Sequence, residues 1–305
     1  MSLALLLELT VKSGVVALIG LALSTLLYFR PAADRVDVLR ATVCLLITLP
    51  VLMAVAPGLE MPLLSASAAG STEQTPAVWA GAVGPVAGVS LSGSVLRPSL
   101  GEFLVWAYAL GAALVIGRFL LGVWTLRRWT RAGKVVTHPA WTAPLSRLGG
   151  GTRPRLVASA SVSAPLSWGV PPGVVLIGPD QLRRVDAAPA VLAHELAHLR
   201  RGDWIFLVLS RLALGLFWFN PLVWLLHAAL AARSEEAADA AALAEIDSQT
   251  YARTLVRLAA DFRQQPAALG MAGPAQTLTR RIACIMKSEN PRPPRPVAMA
   301  MMIGA

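Results

Sequence analysis

The chain has 305 residues, of which 55% are hydrophobic and only 14% charged. A soluble domain needs about a quarter of its residues charged to wet its surface, so this composition excludes an ordinary pair of soluble domains and points to a membrane protein. The 27 Lys and Arg against 17 Asp and Glu give a net charge of +10, which by itself also admits nucleic-acid binding. Where those charges sit decides between the two. Cys44 and Cys284 stand far apart, so neither a disulfide framework nor a zinc-ribbon spacing is available.

In chain order, the first apolar span is expected over Val15 to Phe29, extending back to Leu3 if Glu8 and Lys12 pair one helical turn apart. The second covers Ala41 to Pro57 and is interrupted by Pro50, so residues 1–57 form a hairpin of two spans. Residues 58–100, rich in Ala, Gly, Ser and Val with scattered prolines, are expected to be a flexible extracytoplasmic loop. The third span lies within 101–126, and the 21 residues Leu104 to Trp124 reach about 31 Å, one bilayer core, with Arg118 able to snorkel. Trp106, Trp124 and Trp204 near span ends suit an interfacial belt.

The loops set an orientation. Arg30, Arg35 and Arg40 fill the connection between the first two spans, the 58–100 loop holds one cation, and Arg127, Arg128, Arg131, Lys134, Arg147, Arg153 and Arg155 follow the third span with no acid before Asp180. The positive-inside rule then places the N-terminus outside and the portion after Trp124 in the cytoplasm. A cleaved signal peptide fits less well, because its cations precede the apolar core and these follow it.

From Val191 the chain reads VLAHELAHLRRGDW. On a helix His194 and His198 project from one face a turn apart and can hold one zinc ion, with the carboxylate of Glu195 beside them to take a proton from an attacking water. Asp186 and Pro189 are read as N-cap and first-turn proline of that helix. A third ligand is offered by RSEEAADAAAL on a helix beginning near Asn220 and Pro221: Glu235 as ligand, and Asp239 one turn on as acceptor of a ligand histidine's free N–H. Glu236 is the rival ligand in poorer register. The intervening apolar run Trp204 to Phe219 is 16 residues long with Arg211 at its middle, so it either lies on the membrane face or returns as a hairpin with Pro221 to Leu230. A single crossing would strand Glu235 on the wrong side.

His227, two turns before Glu235, is a candidate oxyanion stabiliser, and a core or interfacial histidine is the competing reading. His138 reads as a loop residue. Leu156 to Val162 and Val174 to Ile177 read as short strands separated by the APLSWGVPPG turn, and one of them is expected to offer the edge to which a substrate backbone adds.

HELAHLRRGDW, FWFNPLVWL and the E-x-x-x-D helix, preceded by APLSWGVPPGVVLIGP and followed by TRRIACIM, resemble the BlaR/MecR-type membrane metallopeptidases, the antibiotic-sensing antirepressor family of bacteria, over about residues 100–290. The resemblance implies a gluzincin fold, zinc on His194, His198 and Glu235, Glu195 as general base and Asp239 behind a ligand imidazole. It also implies a cytoplasmic substrate, a transcriptional repressor or the peptidase itself, cleaved on an outside signal received by an extracytoplasmic sensor domain or partner. Ala238 stands where the family usually has Cys, and Gly202 where it usually has a basic residue. No S-x-x-K or K-T-G motif occurs, so these residues encode no acylated sensor serine.

The fold class expected is a mainly α polytopic membrane protein with a small α+β zinc metallopeptidase domain at 127–290, and 291–305 as the start of a fourth span. The function expected is a zinc endopeptidase of the bacterial inner membrane. The alternatives are a non-catalytic transducer or scaffold with structural zinc, and, least favoured, nucleic-acid binding.

Overall fold

The computed structural model describes residues 3–55, 100–149, 153–264 and 281. The expected 58–100 loop, Leu100 apart, and the expected fourth span at 291–305 lie outside the described residues.

Helices α1 (Leu3–Leu26) and α2 (Ala32–Val55) pack on each other, and α3 (Leu100–Ala132) follows. All three are long and apolar enough to cross a membrane. Large apolar side chains such as Leu18, Ile19, Leu114, Leu120 and Leu121 remain exposed on them, as lipid-facing helices require. The chain is thus a membrane protein, mainly helical. Glu8 and Lys12 do pair, and α1 starts at Leu3. α2 begins nine residues before the expected Ala41, taking Arg35 and Arg40 into the helix and tolerating Pro50. α3 outruns its expected end because nothing after Trp124 breaks a helix until Gly133, where a Cβ would stand 2.4 Å from Val157.

Beyond α3 a four-stranded sheet forms in the order β1-β2-β4-β3 from β1 (Lys134–Val135), β2 (Arg155–Ala158), β3 (Leu166–Trp168) and β4 (Val174–Ile177). β2 and β4 pair in parallel, and β3 runs antiparallel to β4. Two expectations change here. The first strand stops at Ala158, and the supposed turn contains β3. Both strands read from the sequence are therefore internal, and the edges are β1 and β3. A parallel pair needs a crossover, so the residues between its members have room for a third strand. β3 lies against α6, and Trp168 Nε1 donates to Thr130 Oγ1 of α3 at 3.0 Å.

Helix α4 (Pro139–Leu148) is capped by His138, whose Nδ1 accepts from the Ala140 N–H at 3.2 Å, so this residue caps a helix instead of lying in a plain loop. After the short α5 (Pro179–Leu182), a 3-10 turn over Val185–Ala187 precedes α6 (Ala188–Arg201). That turn displaces Asp186 from the cap position, and its carboxylate pairs instead with Arg257 at 3.0 Å. Pro189 does fall in the first turn. α6 buries Leu192, Leu196 and Leu199 in a core with Trp141, Leu156, Val175, Ile177 and Tyr251. It stops at Gly202, whose φ of +63° suits a residue without Cβ.

The apolar run after α6 returns as a hairpin. α7 (Asp203–Leu216) and α8 (Pro221–Leu243) pack together and against α1, α2 and α3. The 14 residues of α7 reach about 21 Å into the bundle. At the tip, buried Asn220 caps α8 by accepting from the Leu222 N–H at 3.0 Å and donates to Ser13 Oγ at 2.9 Å and to the Thr10 carbonyl at 3.3 Å. Leu214, Phe217, Val223, Leu226 and Leu230 join Ala17, Leu39, Val43 and Leu46 in a second core. α9 (Ser248–Gln264) closes against α6 and α8.

Replacing Asn220 by Ala removes a cap and the two hydrogen bonds that tie the hairpin tip to Ser13 and Thr10 of α1. It should cost about 1–3 kcal/mol, seen as a lower unfolding midpoint by circular dichroism in detergent, with helix content otherwise intact.

Candidate metal centre

Two imidazoles on successive turns of α6 and one carboxylate from α8 converge. His194 Nε2 and His198 Nε2 are 3.2 Å apart, and each lies 3.5 Å from an oxygen of Glu235. Among the described residues these three form the group able to hold a metal ion, their ligand atoms all within 4.8 Å of one another. Two nitrogens bound at about 2.0–2.1 Å to one tetrahedral ion stand about 3.3 Å apart, so the observed spacing and the donor chemistry both fit zinc. The two ring planes are nearly perpendicular, at 83°, which lets both nitrogens aim at one point.

The opposite nitrogen of each ring is held from behind. His198 Nδ1 lies 2.7 Å from Asp203 Oδ2. His194 Nδ1 lies 2.8 Å from the Tyr251 hydroxyl and 3.2 Å from Asp239 Oδ1, and that hydroxyl donates to the same carboxylate oxygen at 2.7 Å. Both partner sets are acceptors toward the rings. In the neutral, metal-binding form of each ring they hold the proton on Nδ1 and direct the Nε2 lone pair at the shared position. Asp239 is gripped in turn by Arg281, whose Nε and Nη2 donate at 2.8 and 2.7 Å, while Arg281 Nη1 reaches Glu235 at 3.0 Å.

The electrostatics follow from this crowding. Burial works against charge on His198, but its bonds to Asp203 and Glu235 prevail and hold the pKa up at about 10. His194 is raised in the same manner against its burial, by Asp239 and Glu235. Burial would lift Glu235, yet the two imidazoles keep it well below the ordinary carboxylate range. Asp239, also opposed by burial, is brought down to about 2 by His194 and Arg281.

Of the residues read from the sequence, His194, His198, Glu235 and Asp239 come together, and Glu195 lies on the same helix, 7% exposed. Glu236 turns away to Arg233 at 2.7 Å and Arg35 at 3.3 Å. His227 does not join the cluster. It is eight residues from Glu235, about 12 Å along the helix, and its Nδ1 bonds Ser210 Oγ of α7 at 2.8 Å. Asp203, Tyr251 and Arg281 escaped sequence reading. Asp203 had a signal, an acid just past the glycine that ends the HExxH helix, whereas Tyr251 and Arg281 are brought in by tertiary packing alone. Glu235 is 43% exposed along its side chain while the two imidazoles are mostly covered, so the cluster opens on the carboxylate side.

A bundle of apolar helices carrying an HExxH helix, a returning hairpin that brings Glu235 to it, and a small mixed sheet make a membrane protein with a candidate metal centre. The family model for BlaR1 peptidase M56 matches residues 5–285, and the chain belongs to that family. It is also 31% identical over 97 residues to the regulatory protein BlaR1 of Bacillus licheniformis, a stretch amounting to 32% of this chain and 16% of that protein.

Two outcomes are expected. Asp239→Ala should weaken zinc binding about 10- to 100-fold, measured by competition with a chromogenic chelator. Because both rings hold protons more tightly than a free histidine, zinc uptake near pH 7 should release protons and zinc affinity should rise with pH across the neutral range. Calorimetry in buffers of different ionisation heat checks this.

Proposed function

We propose that the chain is a zinc endopeptidase of the bacterial inner membrane, multi-pass, with its N-terminus outside and its peptidase portion facing the cytoplasm. The observation that carries this reading is the convergence of His194 Nε2, His198 Nε2 and Glu235, with each Nδ1 held by an acceptor behind it. Its orientation is supported by the cations that flank the spans.

Bound there, zinc supplies Lewis acidity, bringing the pKa of water to about 7 and polarising a carbonyl. Glu195 accepts the proton of the attacking water on its carboxylate and delivers it to the nitrogen of the leaving amine. Asp239 and Asp203 keep both imidazoles in the Nδ1–H form. The free edge of β3, beside α6, suits a substrate segment added as a strand. Nucleic acid has no part in this reading, since the excess of positive charge is concentrated where it sets orientation.

The substrate proposed is a cytoplasmic regulatory protein, a transcriptional repressor, or the chain itself, cut when an extracytoplasmic sensor domain or partner reports a signal, as in antibiotic-resistance regulation. The family and the relative's name as a regulatory protein support this class. Glu195→Ala should keep zinc and abolish cleavage, with loss of at least about 100-fold for a missing general base. Zinc content together with a gel assay of the purified repressor or of self-cleavage decides it. Cleavage that persists in that variant sinks the hydrolytic role and leaves a structural zinc site in a transducer.

A further inference from the structure

Arg35 and Arg40 stand in the sequence as orienting cations between two spans, a role that needs only their charge. In the structure both lie on α2 and are largely covered, at 14% and 13% side-chain exposure. Arg40 is the more connected. Its Nη2 donates to Asp203 Oδ1 and, at 3.1 Å, to the carbonyl of Arg201, and its Nη1 donates to Asp37 at 3.0 Å. Its guanidinium lies 4.6 Å over the ring of Phe206. Three of these contacts straddle the junction of α6 and α7: the last carbonyl of the HExxH helix, the first residue of α7, and a side chain one turn further. The second oxygen of Asp203 receives His198 Nδ1.

We propose that Arg40 is a positioning residue of the metal centre, holding Asp203 so that His198 keeps its proton on Nδ1 and its Nε2 directed at the metal. The end of the second span is thereby a working part of the site. The inference rests on the zinc-site reading above.

Asp203 is 2% exposed, so water does not fix its carboxylate. Arg201 offers a second cation at 3.3 Å, but its Nη1 and Nη2 make no hydrogen bond, so its pull is not directional. Arg40 supplies the directional donor that stops rotation about the Asp203 side chain. An imidazole whose rear acceptor has turned away no longer has its tautomer fixed. Charge by itself predicts the opposite sign: a cation near the site repels a divalent ion, so removing it tightens binding. The sign of the change therefore separates positioning from electrostatics.

The experiment uses the full chain in lipid nanodiscs, with zinc affinity read by chelator competition and the visible spectrum of the cobalt-substituted protein as a report on ligand geometry. Arg40→Gln should weaken zinc about 10-fold or more, as should Asp203→Asn, and the double variant should be no worse than Asp203→Asn, because Arg40 acts through that carboxylate. The cobalt bands should shift in Arg40→Gln, while Arg201→Gln should leave zinc affinity unchanged or tighter. Unchanged or tighter zinc in Arg40→Gln, or a double variant that multiplies the two losses, overturns the inference. If Arg40→Gln does not fold, Arg40→Lys keeps the charge without the planar fork: weaker zinc supports the inference and wild-type affinity overturns it. A wild-type chain that binds no zinc overturns the underlying site reading, and this inference with it.

Discussion

Two imidazoles on successive turns of a helix can share one metal only if each turns an unprotonated nitrogen toward it. That condition organises the structure. Each ring has two nitrogens and a freely turning side chain, so the choice must be made by what stands behind it. Asp203 makes it for His198, and Asp239 with Tyr251 makes it for His194. One acceptor comes from the turn after α6, the other from a helix separated from it by the whole α7 excursion. The site therefore exists only when that excursion has come back.

The return depends on a few polar contacts in an apolar setting. Where water is scarce, every backbone group needs a partner, and a helix end is the place where partners run out. Asn220 answers both needs at the tip of the hairpin, capping α8 and bonding α1. The apolar faces of α7 and α8 then fill the space among the spans, and the C-terminal half of α8 emerges beside α6 with Glu235 and Asp239 on one side. Burial of apolar surface fastens the hairpin, and the polar tip sets its depth.

Around the donors lies a ring of charge gathered from distant parts of the chain. Arg40 of α2 and Arg201 of α6 face Asp203, and Arg281 bridges Asp239 and Glu235. Charges buried in this way add little net stability, but removing one member leaves another uncompensated. Such a cluster penalises arrangements in which α2, α8 or Arg281 sits elsewhere. It ties the donors to both the membrane bundle and Arg281.

Much of this was legible in the residues. Low charge and three long apolar runs announced a membrane protein, and the spacings of His194 to His198 and Glu235 to Asp239 announced a common helical face, because a helix converts separations of three and four into adjacency. These are local rules, and local rules survive without knowledge of the fold. The rest was decided by tertiary structure. β3 was hidden because a three-residue strand beside glycines and prolines has no periodicity to display, and its edge position follows from a crossover that only the completed sheet reveals. His227 looked available because it shares a helix with Glu235, but its ring faces Ser210 across the hairpin. Tyr251, Arg281 and Arg40 carry no sign of the contacts they make, since what they contact lies far along the chain. The sequence by itself determined which groups could hold a metal and on which helices they ride. The return of the hairpin, a matter of packing between distant segments, decided which of them meet and which nitrogen His194 presents.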